Sequence, residues 1–297
     1  MSTGREKTRM TKMKRPIKEK IFRFCSALLT FLQFVFRNTG TEYGLTPLKR
    51  FKLARRIIAN TQKVKSLSTW RQHLVLVEEI LSVPAAVPGD VVECSCFNGA
   101  SSVNLSLACA LANRTLYICD SFEGLPDPEA DEKFEVQGNS TNYYVWEKGE
   151  FSSEGGLAAV RRNVEQYGDV SVCKFVKGYF NESLPNLEAQ HIVLVFEDAD
   201  IASSVKDCLV NLWPKMTEGS KFYCHEPWSK KVVALFFDAG WWQANLGLDY
   251  PGFFGSGNGT VTGLGYSSMG YALKIDEEKI RETGTKGFHA GCQGFEA

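Results

Sequence analysis

The stretch DVVECSCFNGASSVNLSLACALA, Asp90–Ala112, decides the fold. Its first part, Val91–Cys96, is a short apolar run without helical spacing, which reads as a strand buried on both faces. A turn of small residues follows, and Ser101–Ala112 then has the composition and length of a buried helix. The pattern repeats outward. Thr115–Cys119 reads as a second strand ending at Asp120, Val170–Val176 as a third, His191–Phe196 as a fourth and Lys221–Cys224 as a fifth. Helices are expected at Gly156–Tyr167, Ser203–Leu212 and Lys230–Ala239. Strands alternating with helices give a parallel sheet covered on both faces, a Rossmann-like α/β domain. Thr260–Ile275 reads as a hairpin that closes the sheet antiparallel, for seven strands in all. Pro126–Ser153 is a long insertion rich in acids and aromatics, a composition and length that suit a lid.

The 297 residues carry 34 basic and 34 acidic side chains. Met1–Lys20 alone holds eight Lys or Arg against Glu6 and Glu19, so the tail is +6 and the remainder −6. The body lacks the basic surface that nucleic acid requires, and no nucleic-acid partner is expected. Nine cysteines without a CxxC pair exclude a zinc module and fit reduced, buried thiols. Ile21–Phe36 is apolar and aromatic, but its uninterrupted part, Phe24–Phe36, is too short to span a bilayer. Two readings of it stand. Residues 1–38 contact a membrane surface through basic and apolar groups, or the helix packs on the domain or on a second copy. The expected division is an appendage, 1–66, including a basic helix at Pro47–Ala59, followed by the α/β domain, 67–297, at the cytoplasmic side of a membrane or free in the cytoplasm.

In open α/β sheets ligands bind beyond the carboxyl ends of the strands. Ser95, Gly99 and Ala100 allow a ligand close to the backbone, and the helix after them offers free N–H groups. The turn is neither the dinucleotide glycine fingerprint nor a phosphate loop. Glu93 before it suits an amino-bearing ligand and repels a pyrophosphate. Asp120 is placed to accept from two ribose hydroxyls.

VPGDVVEC (Val87–Cys94), with Gly99 and Ser101-Ser102 after it, resembles the macrocin O-methyltransferase family, and so does CDSFEGLP (Cys119–Pro126). The likeness runs through Lys177–Phe180 and covers roughly residues 74–239. It implies a class I methyltransferase fold and S-adenosylmethionine bound by Glu93, Cys94, Ser95, Asn98, Gly99, Ser101, Asp120, Ser121, Phe122, Lys177 and Gly178. It also implies a hydroxyl acceptor on a sugar or similar small molecule, and family members associate as oligomers.

The family holds magnesium with an aspartate after the fourth strand and an Asp-Asp pair after the fifth. Those positions are Asp198, His225 and Glu226 here, with Asp198 as ligand and general base. An imidazole among the ligands shifts preference from magnesium towards manganese or another transition metal. Ser95 replaces a turn glycine, Phe196 a frequent arginine, and Ala202-Ser203 a Tyr-Glu pair. With the metal pair altered, a binding protein that kept the fold and lost catalysis is the alternative. His73, His191 and His289 have no partners at catalytic spacing and read as structural.

Overall fold

The computed structural model describes residues 17–136, 143–255, 260–262, 265–267 and 269–275. In chain order the helices are α1 (Ile17–Phe36), α2 (Pro47–Lys63), α3 (Trp70–Ser82), α4 (Ala100–Ala112), α5 (Gly156–Tyr167), α6 (Phe180–Ser183), α7 (Ala202–Leu212), α8 (Lys230–Leu235) and α9 (Ala239–Leu246). The strands are β1 (Asp90–Cys94), β2 (Leu116–Asp120), β3 (Phe134–Val136), β4 (Tyr143–Val145), β5 (Cys173–Lys177), β6 (Ile192–Glu197), β7 (Met216–Cys224), β8 (Thr260–Thr262), β9 (Gly265–Ser267) and β10 (Gly270–Leu273).

One sheet runs in the order β10-β7-β6-β1-β2-β5, parallel except for β10 against β7. The strand order reverses between β1 and β6, and this is the switch point where ligands enter such sheets. Alternate residues of β1 serve opposite layers. Val91 packs with Leu74, Val103 and Val160 on the α3–α5 side, and Val92 with Val205, Leu209 and Leu212 on the α7 side. Burial on both faces is why each central strand reads as a continuous apolar run.

The sheet has six strands where seven were expected. Of the foreseen closing hairpin, only β10 joins it, while β8 and β9 pair with each other. Along the outer edge of β10, among the described residues, Phe254 makes one antiparallel bridge, to Tyr271. The reason for the shortfall is local pairing. Only two residues separate β8 from β9, so these two close on each other and leave β10 alone to join the sheet, against β7.

The basic helix expected at Pro47–Ala59 is α2, capped by the Thr46 hydroxyl and running on to Lys63. It is amphipathic: Leu53, Ala54 and Ile57 enter the core shared with α3 and α4, while Lys49, Lys52, Arg55 and Arg56 face outward. Arg50 is the exception on its buried side. Its guanidinium donates to Glu78 Oε2 at 2.5 Å, to the Phe34 carbonyl at 2.5 Å and to the Thr39 carbonyl. One side chain therefore ties the end of α1 to α2 and α3. No described helix is long and apolar enough to cross a membrane. Phe24, Leu28, Leu29, Leu32 and Phe36 of α1 are exposed.

Removing one partner of this pair strands a buried charge. Arg50→Met should lower stability by about 3 kcal/mol, measured by urea denaturation. A loss no larger than a surface substitution gives would mean that Glu78 finds another cation.

Candidate functional site

The carboxyl ends of β1, β2, β6 and β7 open into a cavity of about 540 Å³. The turn after β1 is strained: Ser95, Phe97 and Gly99 have φ of +70°, +48° and +82°. The Gly99 N–H donates to the Cys96 carbonyl at 2.7 Å, closing the turn. A Cβ at Gly99 would lie 2.8 Å from Val160 Cγ1, so this glycine answers both the backbone conformation and the close approach of α5. The turn is braced from outside. Asn98 Oδ1 accepts from the Glu154 N–H at 3.0 Å, and Asn163 Nδ2 donates to the Asn98 carbonyl at 3.0 Å.

Asp120 spans the same turn. Its Oδ2 accepts from the Cys96 N–H at 2.7 Å and its Oδ1 from the Phe122 N–H at 2.6 Å. Burial pushes its pKa up although both amides favour the ionised form. Glu93 lies fully buried behind the turn, where Oε2 accepts from the Ser102 hydroxyl at 2.5 Å and Oε1 has no partner. Burial pushes its pKa to about 8. Of the expected cofactor residues, Ser95, Ser101, Asp120, Ser121 and Gly178 line the cavity. Glu93, Cys94, Asn98, Gly99 and Phe122 stand behind that lining. Lys177 is at the surface, 2.9 Å from Glu123.

Across the switch point stand Asp198, His225 and Glu226, all lining the same cavity. His225 Nδ1 is 2.7 Å from Asp198 Oδ1 and 3.5 Å from Glu226 Oε1. Donor atoms of the three lie within 4.8 Å of one another. Burial alone would lower the imidazole pKa, but the Asp198 and Glu226 carboxylates push it well above the usual histidine range. Burial likewise works against the Asp198 carboxylate, and the His225 charge more than offsets it, leaving its pKa low. Glu226 is pushed well up, by burial first and by Glu197 second. Its Oε1 is buried and accepts no hydrogen bond, so the donor set fits a divalent cation held by two carboxylates and an imidazole.

Glu197, one of three acids that the sequence crowds at the end of β6 with Asp198 and Asp200, is completely buried with Oε1 accepting from the Ala199 N–H at 2.7 Å, and burial pushes its pKa to about 7. With Cys224 and Glu226 it forms a second, fully buried donor group. Lys65, Ser66, Leu67 and Ser68, just before α3, also line the cavity. His73 holds that segment: Nε2 is 2.7 Å from the Ser68 hydroxyl and Nδ1 2.8 Å from Asn104 Nδ2. Burial lowers its pKa to about 3, so it is a neutral structural residue, as its lack of catalytic spacing suggests. From the described parts of the insertion expected as a lid, Tyr144, Trp146 and Phe151 line the cavity. Glu132 fastens it to α7 by accepting from Ser203 N–H and Oγ at 2.6 and 2.7 Å.

Glu93 yields a pH prediction. The native state keeps its proton up to about pH 8, whereas the unfolded chain loses it near 4.5. Its contribution is therefore complete below pH 4.5 and is lost as pH rises towards 8. Glu93→Gln should melt several degrees above the parent at pH 8 and close to it at pH 5. The same difference at both pH values would sink the assignment.

The macrocin-O-methyltransferase family model matches residues 67–224. A tetracenomycin-C rhamnosyl 4'-O-methyltransferase of Streptomyces olivaceus is 30% identical over 143 residues, 45% of this chain and 51% of that protein. The mycinamicin III 3''-O-methyltransferase of Micromonospora griseorubida is 27% identical over 139 residues, 45% of this chain and 53% of that protein. The chain thus spans about half the length of the curated relatives it matches. Among solved structures, the calicheamicin methyltransferase CalS11 superposes with a TM-score of 0.52 at 17% identity, over 78% of this chain and 95% of that one. The O-methyltransferase NovP gives 0.51 at 19%, over 70% and 81%. These two share its fold. With the family model covering more than half of its residues, and with the same sheet and switch point, the chain belongs to the macrocin O-methyltransferase family.

Proposed function

We propose that the protein is an S-adenosylmethionine-dependent O-methyltransferase acting on a hydroxyl of a sugar or similar small molecule, with a divalent cation at Asp198, His225 and Glu226. The carrying observation is that one cavity joins the strained β1 turn and Asp120 to the Asp198–His225–Glu226 group. Methyl transfer to oxygen is an in-line displacement: the hydroxyl oxygen forms a bond to the methyl carbon as the carbon–sulfur bond breaks, and a base removes the proton. In this reading the residues around the β1 turn and Gly178 orient the cofactor, and Asp120 accepts from its ribose. Glu93 answers a cationic amino group, directly or through the turn.

At the other end Asp198 is the base, and its low pKa keeps it ionised. A cation bound there supplies charge that lowers the pKa of the acceptor hydroxyl. It must displace the proton that His225 Nδ1 shares with Asp198, so binding should release protons and strengthen with pH. The convergence of three donors on one opening favours this reading over a fold that has lost catalysis.

Asp198→Asn should keep cofactor affinity by calorimetry while turnover falls about 10³-fold; full turnover would remove Asp198 as base. Manganese or zinc should raise the melting temperature more than magnesium does, and His225→Ala should abolish the difference. An indifferent melting curve with all three ions would leave the protein metal-free.

The amino-terminal segment supports a second proposal, contact with an anionic lipid surface. The exposed apolar face of α1 meets α2 where Phe31 packs edge-on to Phe51 at 5.5 Å, and Arg55 lies 5.8 Å from the Phe51 ring. Apolar groups bordered by Lys and Arg suit an acidic membrane interface. Vesicles of phosphatidylcholine with a third phosphatidylserine should sediment the protein, less so at high salt. A salt-independent dimer in place of vesicle binding would assign the face to a second copy.

A further inference from the structure

Six more carboxylates line the cavity besides those with a place in the proposed chemistry: Asp127, Glu129, Glu150, Glu182, Asp200 and Asp207. Against them, among the described lining residues, Lys65 is the one side chain with a fixed positive charge, and Glu154 holds it at 2.9 Å; from outside the lining, Lys133 stands 3.7 Å from Asp127 and Lys206 acts on Asp207, which leaves Glu129, Glu150, Glu182 and Asp200 in excess. The crowding has a measurable consequence. Burial and the nearby Glu129 and Glu132 carboxylates push the Asp207 pKa up. A bound S-adenosylmethionine carries a net single positive charge, so the excess of acid persists with cofactor in place.

The lid supplies the complementary surface. Tyr144 stacks on Trp146 with centroids 4.7 Å apart and planes 9° from parallel, and Trp228 stands 6.3 Å from each. This wall is anchored. Trp146 Nε1 donates to Glu135 Oε2 at 3.3 Å, and Glu135 accepts from the Ser229 hydroxyl that caps α8. Aromatic faces attract cations, and a cleft of one sign concentrates ligands of the other.

We propose that the acceptor is a cation, a hydroxyl compound bearing a protonated amine that rests on the Tyr144–Trp146–Trp228 wall among these acids. The hydroxyl belongs to the methyltransferase reading, on which this proposal rests; the charge of the acceptor is the new element. Acceptors carrying phosphate, sulfate or carboxylate are excluded by the same field.

The test is a charge series on one scaffold: the methyl glycosides of glucosamine, glucose and glucuronic acid. Each is titrated into the full chain with tryptophan fluorescence as readout, since Trp146 and Trp228 line the cavity. The amine should bind about tenfold more tightly than the neutral sugar, the gap should narrow at high salt, and the glucuronide should bind least. Asp207→Asn with Glu129→Gln should cut the ratio of amine to neutral-sugar affinity several-fold. An amine that binds no better than glucose, a preference for the acid, or no saturable signal with the amine overturns the proposal. Calorimetry with S-adenosylmethionine on the same samples separates the two readings. Cofactor binding without the amine preference defeats this inference alone, and amine preference without cofactor binding defeats the methyltransferase reading alone.

Discussion

The last rungs of the parallel ladder hold everything else in place. Past the end of β1, the Asp198 N–H donates to the Cys94 carbonyl at 3.0 Å, and the His225 N–H donates to the Glu197 carbonyl at 2.9 Å. On the other side the Ser95 N–H donates to the Cys119 carbonyl at 2.9 Å, and the Gly178 N–H to the Asp120 carbonyl at 3.0 Å. Parallel strands deliver all these backbone groups to one edge of the sheet. Each residue that continues a rung beyond its strand is then positioned by its neighbour as firmly as a residue inside the sheet. The site is therefore rigid without being built from loops.

That rigidity confines several acids in a small, dry volume. Glu93, Glu197 and Glu226 are completely buried, and each has one carboxylate oxygen without a partner. Burying an ionised carboxylate is prohibitive unless a cation or a proton accompanies it. Protons serve in the structure described: Glu93 and Glu197 titrate near 8 and 7, and His225 is charged beside Asp198. Cationic ligands would take over that role. The same accounting holds across the cavity, where a sulfonium cofactor, a divalent ion and a charged acceptor each find carboxylates already in place.

How much of this was legible depended on the distance over which a signal had to be read. The strand, turn and helix of Asp90–Ala112 are contiguous, so periodicity and small residues sufficed, and Asp120 followed because a strand end is recognisable by itself. Asp198, His225 and Glu226 came from resemblance, and the sheet register brings them together. The seventh strand is missing from the sheet because β8 and β9, two residues apart, pair with each other, and an apolar pattern does not say which partner a strand takes. The acids of the cavity were legible in part. The insertion reads as rich in acids and aromatics, and Asp200 follows Asp198 at a strand end, but Asp207 alone reads as an ordinary surface charge, and only the fold sets it by Glu129 and Glu132 of the insertion.

The family match begins at residue 67 and ends at 224, which divides the cavity in a telling way. The β1 turn, Asp120, Asp198 and the lid fall inside it. Lys65 and Ser66 lie before it, and His225, Glu226 and Trp228 after it. Helix α2, which also lies before it, is attached to the shared core by short polar links. Ser68 hangs from His73, which is bound to Asn104 of α4, and Asn104 Oδ1 accepts from Asn60 Nδ2 of α2 at 3.0 Å. Through Asn60, the helix whose Arg50 fastens α1 also sets the depth of one cavity wall. The Lys65–Ser68 wall is bonded onward as well: Lys65 lies 5.5 Å from the Phe97 ring, and Glu154, which holds its ammonium, donates its N–H to Asn98 Oδ1. Helix α2, that wall and the β1 turn therefore belong to one bonded set, because each link in it meets either the turn itself or the helix that begins there.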